Sequence, residues 1–361
     1  MSTGESTMNV LGSFQPACRP LLRGGLPHTN PMIVAQLICR YFPQTPAWPL
    51  PLPRTLADTP FALAAQGLPG VQIDLERDRL AVDHETLERE AVRVGLAYLR
   101  GDAQFAALSG PAVVVLEELL RQLNTEDRHP FLLKYETIGP VSLSLALTDN
   151  HDRPLAYAPE WRELLLNLCS LRVAWQHEQV QGYAAYRLVM IDEPFLDAIL
   201  HPLSPLEWDD GIDLLNRLLV DLPARRGLFI SSAVLWEAIL PLPLDVIGFH
   251  PADHLQSLLQ VATPLTQFLA GGGCLAWGVT PVEARLLANV HASDLCDRVV
   301  RAMHEVATAT GLDVAVVQQQ SFLSFTGSLA YVSPAQAEQA LQLCAETSRL
   351  VRQTLGVGEE E

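Results

Sequence analysis

Short apolar segments rich in β-branched residues alternate along the chain with longer segments whose apolar residues recur every three or four positions. The short segments predict strands at residues 134–138, 186–191, 227–231, 246–250, 274–279 and 314–318. The longer segments predict helices at residues 158–180, 208–222 and 280–310. This alternation is typical of βαβ units in an α/β protein with a parallel sheet, either closed into a barrel or open and doubly wound.

The last helix has the clearest boundaries. Ser333 is the predicted N-cap, Pro334 is the first helical residue, and Gln336 completes a capping box three residues after the cap. Gly356 is predicted to end the helix. Residues 1–20 lack any periodicity and are expected to form a loose tail outside the core, and residues 357–361 form an acidic C-terminal tail.

Composition narrows the classes of function. The chain has 361 residues, of which 49% are hydrophobic, so it can bury a large core. Its formal net charge is −17 and no basic run interrupts the acidic balance, which argues against nucleic acid or an anionic membrane as a partner. The six cysteines never form a C-x-x-C pair, and neither a signal peptide nor a membrane-spanning segment is expected from the sequence. A reducing, cytoplasmic location is therefore expected.

Three segments carry candidate chemistry, of which residues 134–140, a strand that runs into a Gly-Pro turn, are the weakest because Gly-Pro is common in loops. Asp192 and Glu193 follow an apolar strand and precede Pro194; in parallel α/β folds such strand ends hold the active site, although the pair could equally cap a helix. His28 follows two glycines that allow a ligand to approach the backbone, although a loop histidine can also be simply solvated. Neither G-x-G-x-x-G after a strand nor a P-loop sequence occurs, which removes the usual support for nucleotide binding.

Several segments together resemble the catalytic barrel of cobalamin-independent methionine synthases and their short, barrel-only relatives. The GGLPHT segment at 24–29, TIGPV at 137–141 and IDEP at 191–194 are similar to motifs of that family, and so are AWGVTP at 276–281 and residues 327–338. The matches run in order from about residue 23 to 355. The resemblance implies a single (β/α)₈ TIM barrel over residues 21–356, within the superfamily that also contains uroporphyrinogen decarboxylase.

The resemblance also implies a substrate site and a metal. Asp192 takes the place of the family's aspartate that binds the amino group of homocysteine, and we assign Glu193 and His28 to substrate binding beside it. The family's zinc activates the substrate thiol. Its ligand positions fall on Phe229, Ser231, His250 and Thr326.

Neither thiolate of that zinc site is retained, and hydroxyls are poor zinc ligands. No cofactor is therefore expected by the family pattern. A rebuilt metal site of His250, His254 and Cys274, with Glu237 as a possible neighbour, is a weaker alternative.

Three functions remain open at this stage. The first is methyl transfer, from a methylated corrinoid protein or a folate, to a thiol such as homocysteine. The second is a catalytically degenerate barrel that binds a small molecule or a partner. The third is a decarboxylase like uroporphyrinogen decarboxylase, whose arginine-rich N-terminal signature is absent here. On each of them, Asp192 should converge with the former zinc-ligand positions at the carboxyl ends of the strands.

Overall fold

The computed structural model describes residues 14–50, 55–74, 76–77 and 79–357. The strands are β1 Arg19–Pro20, β2 Val71–Asp74, β3 Arg79–Val82, β4 Leu132–Ile138, β5 Tyr186–Asp192, β6 Arg225–Ile230, β7 Val246–Phe249, β8 Cys274–Thr280 and β9 Ser321–Phe325. The helices are α1 Pro31–Tyr41, α2 Pro60–Ala65, α3 His84–Arg100, α4 Pro111–Thr125, α5 Pro140–Ala146, α6 Pro159–Gln179, α7 Trp208–Val220, α8 Trp236–Ile239, α9 Pro251–Leu259, α10 Ala262–Ala270, α11 Ala284–Leu287, α12 Ala292–Thr310, α13 Val314–Gln319 and α14 Pro334–Leu355.

Proline positions explain many of the helix starts. Seven of the described helices begin at a proline, where the missing N–H costs nothing because the first helical N–H groups have no partner within the helix. The predicted caps of α14 are confirmed: Gln336 N–H donates to Ser333 Oγ at 3.3 Å, and Gly356 adopts a left-handed φ of 63°. None of the described helices combines the length and apolar character needed to cross a bilayer.

Seven strands form one curled parallel sheet in the order β1-β9-β8-β7-β6-β5-β4, and β2 and β3 form a separate antiparallel pair. Residues 44–48 run alongside β4, where Trp48 N–H donates to Lys134 O at 2.8 Å. The Thr45 hydroxyl donates to the backbone oxygen of Pro20, the last residue of β1, at 2.5 Å. The structure therefore confirms a barrel-like parallel sheet, but the described residues show no backbone ladder between residues 44–48 and β1, so closure by an eighth strand is not seen.

Both faces of this sheet are buried. The outer face packs on the helices, and every residue of β4 is buried as a result. The concave face holds a second, smaller apolar core of alternating strand residues: Phe14, Leu21, Leu132, Leu188, Met190, Phe229, Val246, Cys274, Ala276 and Phe322. This core fills the amino-terminal and middle part of the interior, so that a cavity can open only toward the carboxyl ends of the strands.

Residues 14–20, predicted to be part of a loose tail, instead belong to the fold. Phe14 stacks on Phe131 with ring centroids 5.5 Å apart, and Cys18 N–H donates to Ser321 O at 2.7 Å. The two-residue strand β1 is too short to show any alternation in the sequence. Residues 1–13 of the predicted tail, and residues 358–361 of the C-terminal one, lie outside the described part of the chain.

The strand predicted at 314–318 is wrong. These residues form α13, and the strand β9 follows at Ser321–Phe325. Asp313 caps the helix by accepting a hydrogen bond from Ala315 N–H at 2.9 Å, and this cap outweighs the β-propensity of the three valines. The helix predicted over 280–310 is also divided, since α11 and α12 are separate.

Phe14 provides a test of the N-terminal segment. We expect Phe14→Ala to lower the free energy of unfolding by about 3–5 kcal/mol, because it leaves a cavity among packed aromatic rings. Val92→Ala, at a 63% exposed position on α3, is the control and should change it by no more than about 0.5 kcal/mol. Urea unfolding of both variants measures the difference. Equal stabilities would mean that this segment is not part of the folded core.

Candidate functional site

A cavity of about 620 Å³ opens at the carboxyl ends of the parallel strands. Its polar lining comes from Gly24 and Gly25 after β1, Glu136 on β4, Asp192 on β5 and Ser328 after β9, together with Thr59 and the cationic Arg79 on β3. Its walls are mainly apolar and include Leu50, Phe61, Leu80, Leu145 and Tyr331. A cavity with apolar walls and a few polar groups is suited to a small organic ligand.

Asp192 is the last residue of β5, and its side chain points to the concave face with those of Leu188 and Met190. Its Oδ1 atom is buried and has no hydrogen-bond partner among the described residues. Burial raises the pKa of this carboxyl from its ordinary 3.8 to about 6, and the positive charge of Arg23 partly opposes the rise. A buried carboxylate without a donor is costly, so this atom is the natural contact for a cationic ligand group.

The negative charge of the neighbouring carboxylate, Glu136, is balanced by a lysine. Lys134 and Glu136 are two residues apart on β4, so their side chains lie on the same face of the strand. The Lys134 ammonium pairs directly with Glu136 Oε2. The same oxygen also accepts a hydrogen bond from Gly24 N–H at 3.2 Å. Both side chains are buried, so each supplies the charge that the other needs in the dry interior.

Three of the four former zinc-ligand positions meet around Arg23. Its guanidinium lies over the Phe229 ring, 4.8 Å from the centroid, and donates to Ser231 Oγ at 2.5 Å and Thr326 O at 3.2 Å. Phe229 faces the interior where Gly248 leaves room, since a Cβ at residue 248 would collide with the ring. The convergence predicted for Phe229, Ser231 and Thr326 is thus seen, with a cationic side chain at its centre.

His250 lies outside this group. It precedes α9, its Nδ1 atom is 2.6 Å from Asp253 Oδ2, and it lines a separate cavity of about 260 Å³ together with Arg298 and Arg301. His254 is buried against Trp236, with ring centroids 6.2 Å apart, and burial lowers the pKa of its imidazole.

The rebuilt metal site of His250, His254 and Cys274 is not formed. Cys274 begins β8 and packs in the interior core at the opposite end of the strands, while His250 follows the end of β7. Glu237 is an exposed residue of α8. Throughout the described ranges, no three His, Cys, Asp or Glu side chains come close enough to hold a metal ion. With a phenyl ring and two hydroxyls at the family's ligand positions, these residues do not fit zinc.

Glu193 turns away from the cavity and caps a helix. Its Oε1 and Oε2 atoms accept hydrogen bonds from the N–H groups of Val141 at 3.1 Å and Ser142 at 2.6 Å, at the start of α5. Gly139 makes this approach possible, because a Cβ there would collide with the carboxylate. Burial raises the pKa of Glu193 to about 7, opposed by these hydrogen bonds.

His28 lies in a different cavity from Asp192. Its Nε2 atom is 3.2 Å from Glu338 Oε1 on α14, and it lines a cavity of about 440 Å³ with Asp58 and Pro111. Its Nδ1 atom is buried without a hydrogen-bond partner in the described part of the chain. The structure therefore does not bring His28, Glu193 and Asp192 together around one ligand space.

Sequence reasoning missed Arg23, Lys134 and Glu136. A signal for the latter two exists, since two charged residues spaced by two in an otherwise apolar strand must share one buried face and compensate each other. Arg23 gives no such signal, because its partners lie about 200 or 300 residues away in the sequence.

The capping role of Glu193 can be tested by stability. We expect Glu193→Ala to lower the free energy of unfolding by about 2–3 kcal/mol, because two helix N–H groups lose their acceptor in a buried place. Glu193→Gln keeps one carbonyl acceptor and should lose less. Chemical denaturation at neutral pH measures both. Wild-type stability in Glu193→Ala would show that the two hydrogen bonds contribute nothing to folding.

Comparison with known proteins extends the description of the fold. No protein-family model and no curated protein matches the chain. Among solved structures, it is similar to a methyltransferase from Methanosarcina mazei, with a TM-score of 0.54 and 14% identity over 93% of this chain and 94% of that chain. It is also similar to a B12-independent methionine synthase from Shewanella sp. W3-18-1 in complex with selenomethionine, with a TM-score of 0.45 and 14% identity over 67% of this chain and 68% of that chain. At this identity, the likeness to the Methanosarcina protein shows a shared fold along nearly the whole chain.

Proposed function

We propose that this protein binds a small amino compound, such as an amino acid, through Asp192, in a barrel of the methyl-transfer type. The observation that carries the proposal is the Asp192 Oδ1 atom, which is buried in the cavity lining and finds no donor among the described residues. An ammonium group supplies both the positive charge and the N–H donors that this oxygen lacks.

The rest of the cavity supports a ligand with an apolar body. Leu50, Phe61, Leu80 and Tyr331 line its walls, and Asp192 lies among them at the end of β5. Lys134 and Glu136 already compensate each other, so Asp192 is the carboxylate that is free for a cationic group.

Methyl transfer to a thiol such as homocysteine is the second candidate. It is supported by the fold shared with the Methanosarcina methyltransferase and by the IDEP segment that ends in Pro194. A methylated corrinoid protein or a folate would then be the donor. The route through a zinc thiolate is not supported, because the residues at the former ligand positions do not fit that metal.

Binding should depend on the ionisation of Asp192. Since its pKa is raised to about 6 and an ammonium binds the ionised form, the association constant for L-methionine should fall about tenfold for each pH unit below 6. At pH 8, Asp192→Asn should weaken binding about 10- to 100-fold, because a charge-assisted hydrogen bond is lost. Isothermal titration calorimetry of both proteins measures the two effects.

The Asn variant itself is the control for the pH dependence, since it should bind with the same weak affinity throughout this pH range. An affinity that is unchanged by Asp192→Asn would contradict the proposed role of Asp192. Transfer of a methyl group to homocysteine from methylcobalamin or a methylated folate, measured as methionine formed, separates the second candidate from binding alone.

The same carboxylate should make folding depend on pH. A carboxyl whose pKa is raised on folding stabilises the protein most below the pKa of the unfolded chain, and this contribution is lost as the pH rises through about 6. We therefore expect Asp192→Asn to be more stable than wild type by about 1–3 kcal/mol at pH 8, with the difference disappearing toward pH 4. Urea unfolding at the two pH values tests this, and a wild type that is the more stable protein at pH 8 would contradict it.

A further inference from the structure

The guanidinium of Arg23 contacts three residues at the positions where methionine synthases of the cobalamin-independent family carry zinc ligands. It stacks on Phe229 and hydrogen-bonds to Ser231 Oγ and to the backbone oxygen of Thr326. By the correspondence with that family, an arginine cation stands where a metal cation would be. A guanidinium cannot coordinate a thiolate as a metal does, but it binds oxyanions with a planar set of N–H donors.

Arg23 forms no ion pair with a described carboxylate, although its charge acts on Asp192 from beyond 4.0 Å. Its two hydrogen-bond acceptors, Ser231 Oγ and Thr326 O, are neutral oxygens, and no described carboxylate lies within 4.0 Å of the guanidinium. The side chain is only partly buried. Because a guanidinium has five N–H groups and two hydrogen bonds use only some of them, donors remain for a ligand.

A second polar group lies next to the guanidinium. Thr326 follows the last residue of β9, and its backbone oxygen accepts the hydrogen bond from Arg23. Its Oγ1 atom is buried and lacks a hydrogen-bond partner in the described ranges. A hydroxyl with an unused O–H next to a guanidinium with unused N–H groups forms a set of donors for an anion.

We propose that Arg23 and the Thr326 hydroxyl, which adjoin the cavity lining next to Gly24 without being part of it, form a carboxylate subsite, so that the site selects amino compounds that also carry a carboxylate. This inference rests on the proposed function, since it takes the ligand's amino group to lie at Asp192. Asp192 and Phe229 are paired residues of β5 and β6, and the guanidinium lies over the Phe229 ring. A ligand amino group at Asp192 therefore brings the adjoining part of the ligand toward Arg23.

Two probe pairs test the proposal by calorimetry at pH 8. L-leucine against L-leucinamide tests a carboxylate next to the amino group, and L-glutamate against L-glutamine tests a distal one. The full-length protein is expected to prefer the carboxylate-bearing member of at least one pair by about 10- to 100-fold, as for a charge-assisted pair. The pair that shows the preference identifies which carboxylate the subsite takes.

Variants of Arg23 decide whether this residue causes the preference. Arg23→Gln should reduce it to less than about threefold, while Arg23→Lys keeps the charge without the planar donors and should retain part of it. Arg100→Gln, at an exposed position on α3, is the matched control and should keep the full wild-type preference. If Arg23→Gln does not fold, as judged by circular dichroism, Arg23→Lys carries the test, and a full wild-type preference in it would overturn the proposal.

The two proposals fail in different ways. An equal preference in wild type and Arg23→Gln, or none in wild type, would overturn the carboxylate subsite; if Asp192→Asn still weakens all four probes, the proposed function stands. If none of the four probes binds the wild-type protein at millimolar concentration, both proposals fail.

Discussion

Exclusion of water from the concave face of the sheet is the constraint on which the site depends. Below the cavity, Leu188, Met190 and Phe322 fill the interior with apolar side chains, so any charge placed above them must be balanced locally. Lys134 and Glu136 meet this condition by direct contact. Asp192 and Arg23 meet it only in part, since they interact across a gap wider than an ion pair. Asp192 and Arg23 therefore carry opposite charges near each other without forming an ion pair, which is the arrangement that the proposed ligand requires.

In the IDEP segment, the side chains of two adjacent residues, Asp192 and Glu193, lie in different surroundings. Asp192 ends the strand on the concave face, and the next residue, Glu193, necessarily turns to the other side, where it holds the start of α5. Its carboxylate thereby fixes the loop between β4 and α5, which begins at Gly139 beside Asp192. The segment can keep this structural role whether or not a metal is present.

Local patterns predicted much of the fold and less of the site. The strands β4 to β8 and the capped helix α14 followed from periodicity and capping residues, because those signals lie within a few residues of each other. The valines of α13 led to a wrong strand prediction, because the helix cap formed by Asp313 outweighs the β-propensity of valine. The grouping of Phe229, Ser231 and Thr326 could be predicted through the resemblance, but their central partner, Arg23, could not, since its contacts exist only after the chain has folded.

In the described residues, backbone hydrogen bonds do not join the parallel sheet into a closed ring. Along β4 to β9 the strands are joined by ladders of peptide hydrogen bonds, whereas the gap between residues 44–48 and β1 is bridged by the hydroxyl of Thr45. A sheet of this kind is expected to open most easily where the fewest backbone hydrogen bonds hold it together. Both margins of this gap lead directly into the cavity lining, through Gly24 and Gly25 on one side and Leu50 on the other. The part of the circumference that lacks a ladder of backbone hydrogen bonds therefore adjoins the cavity.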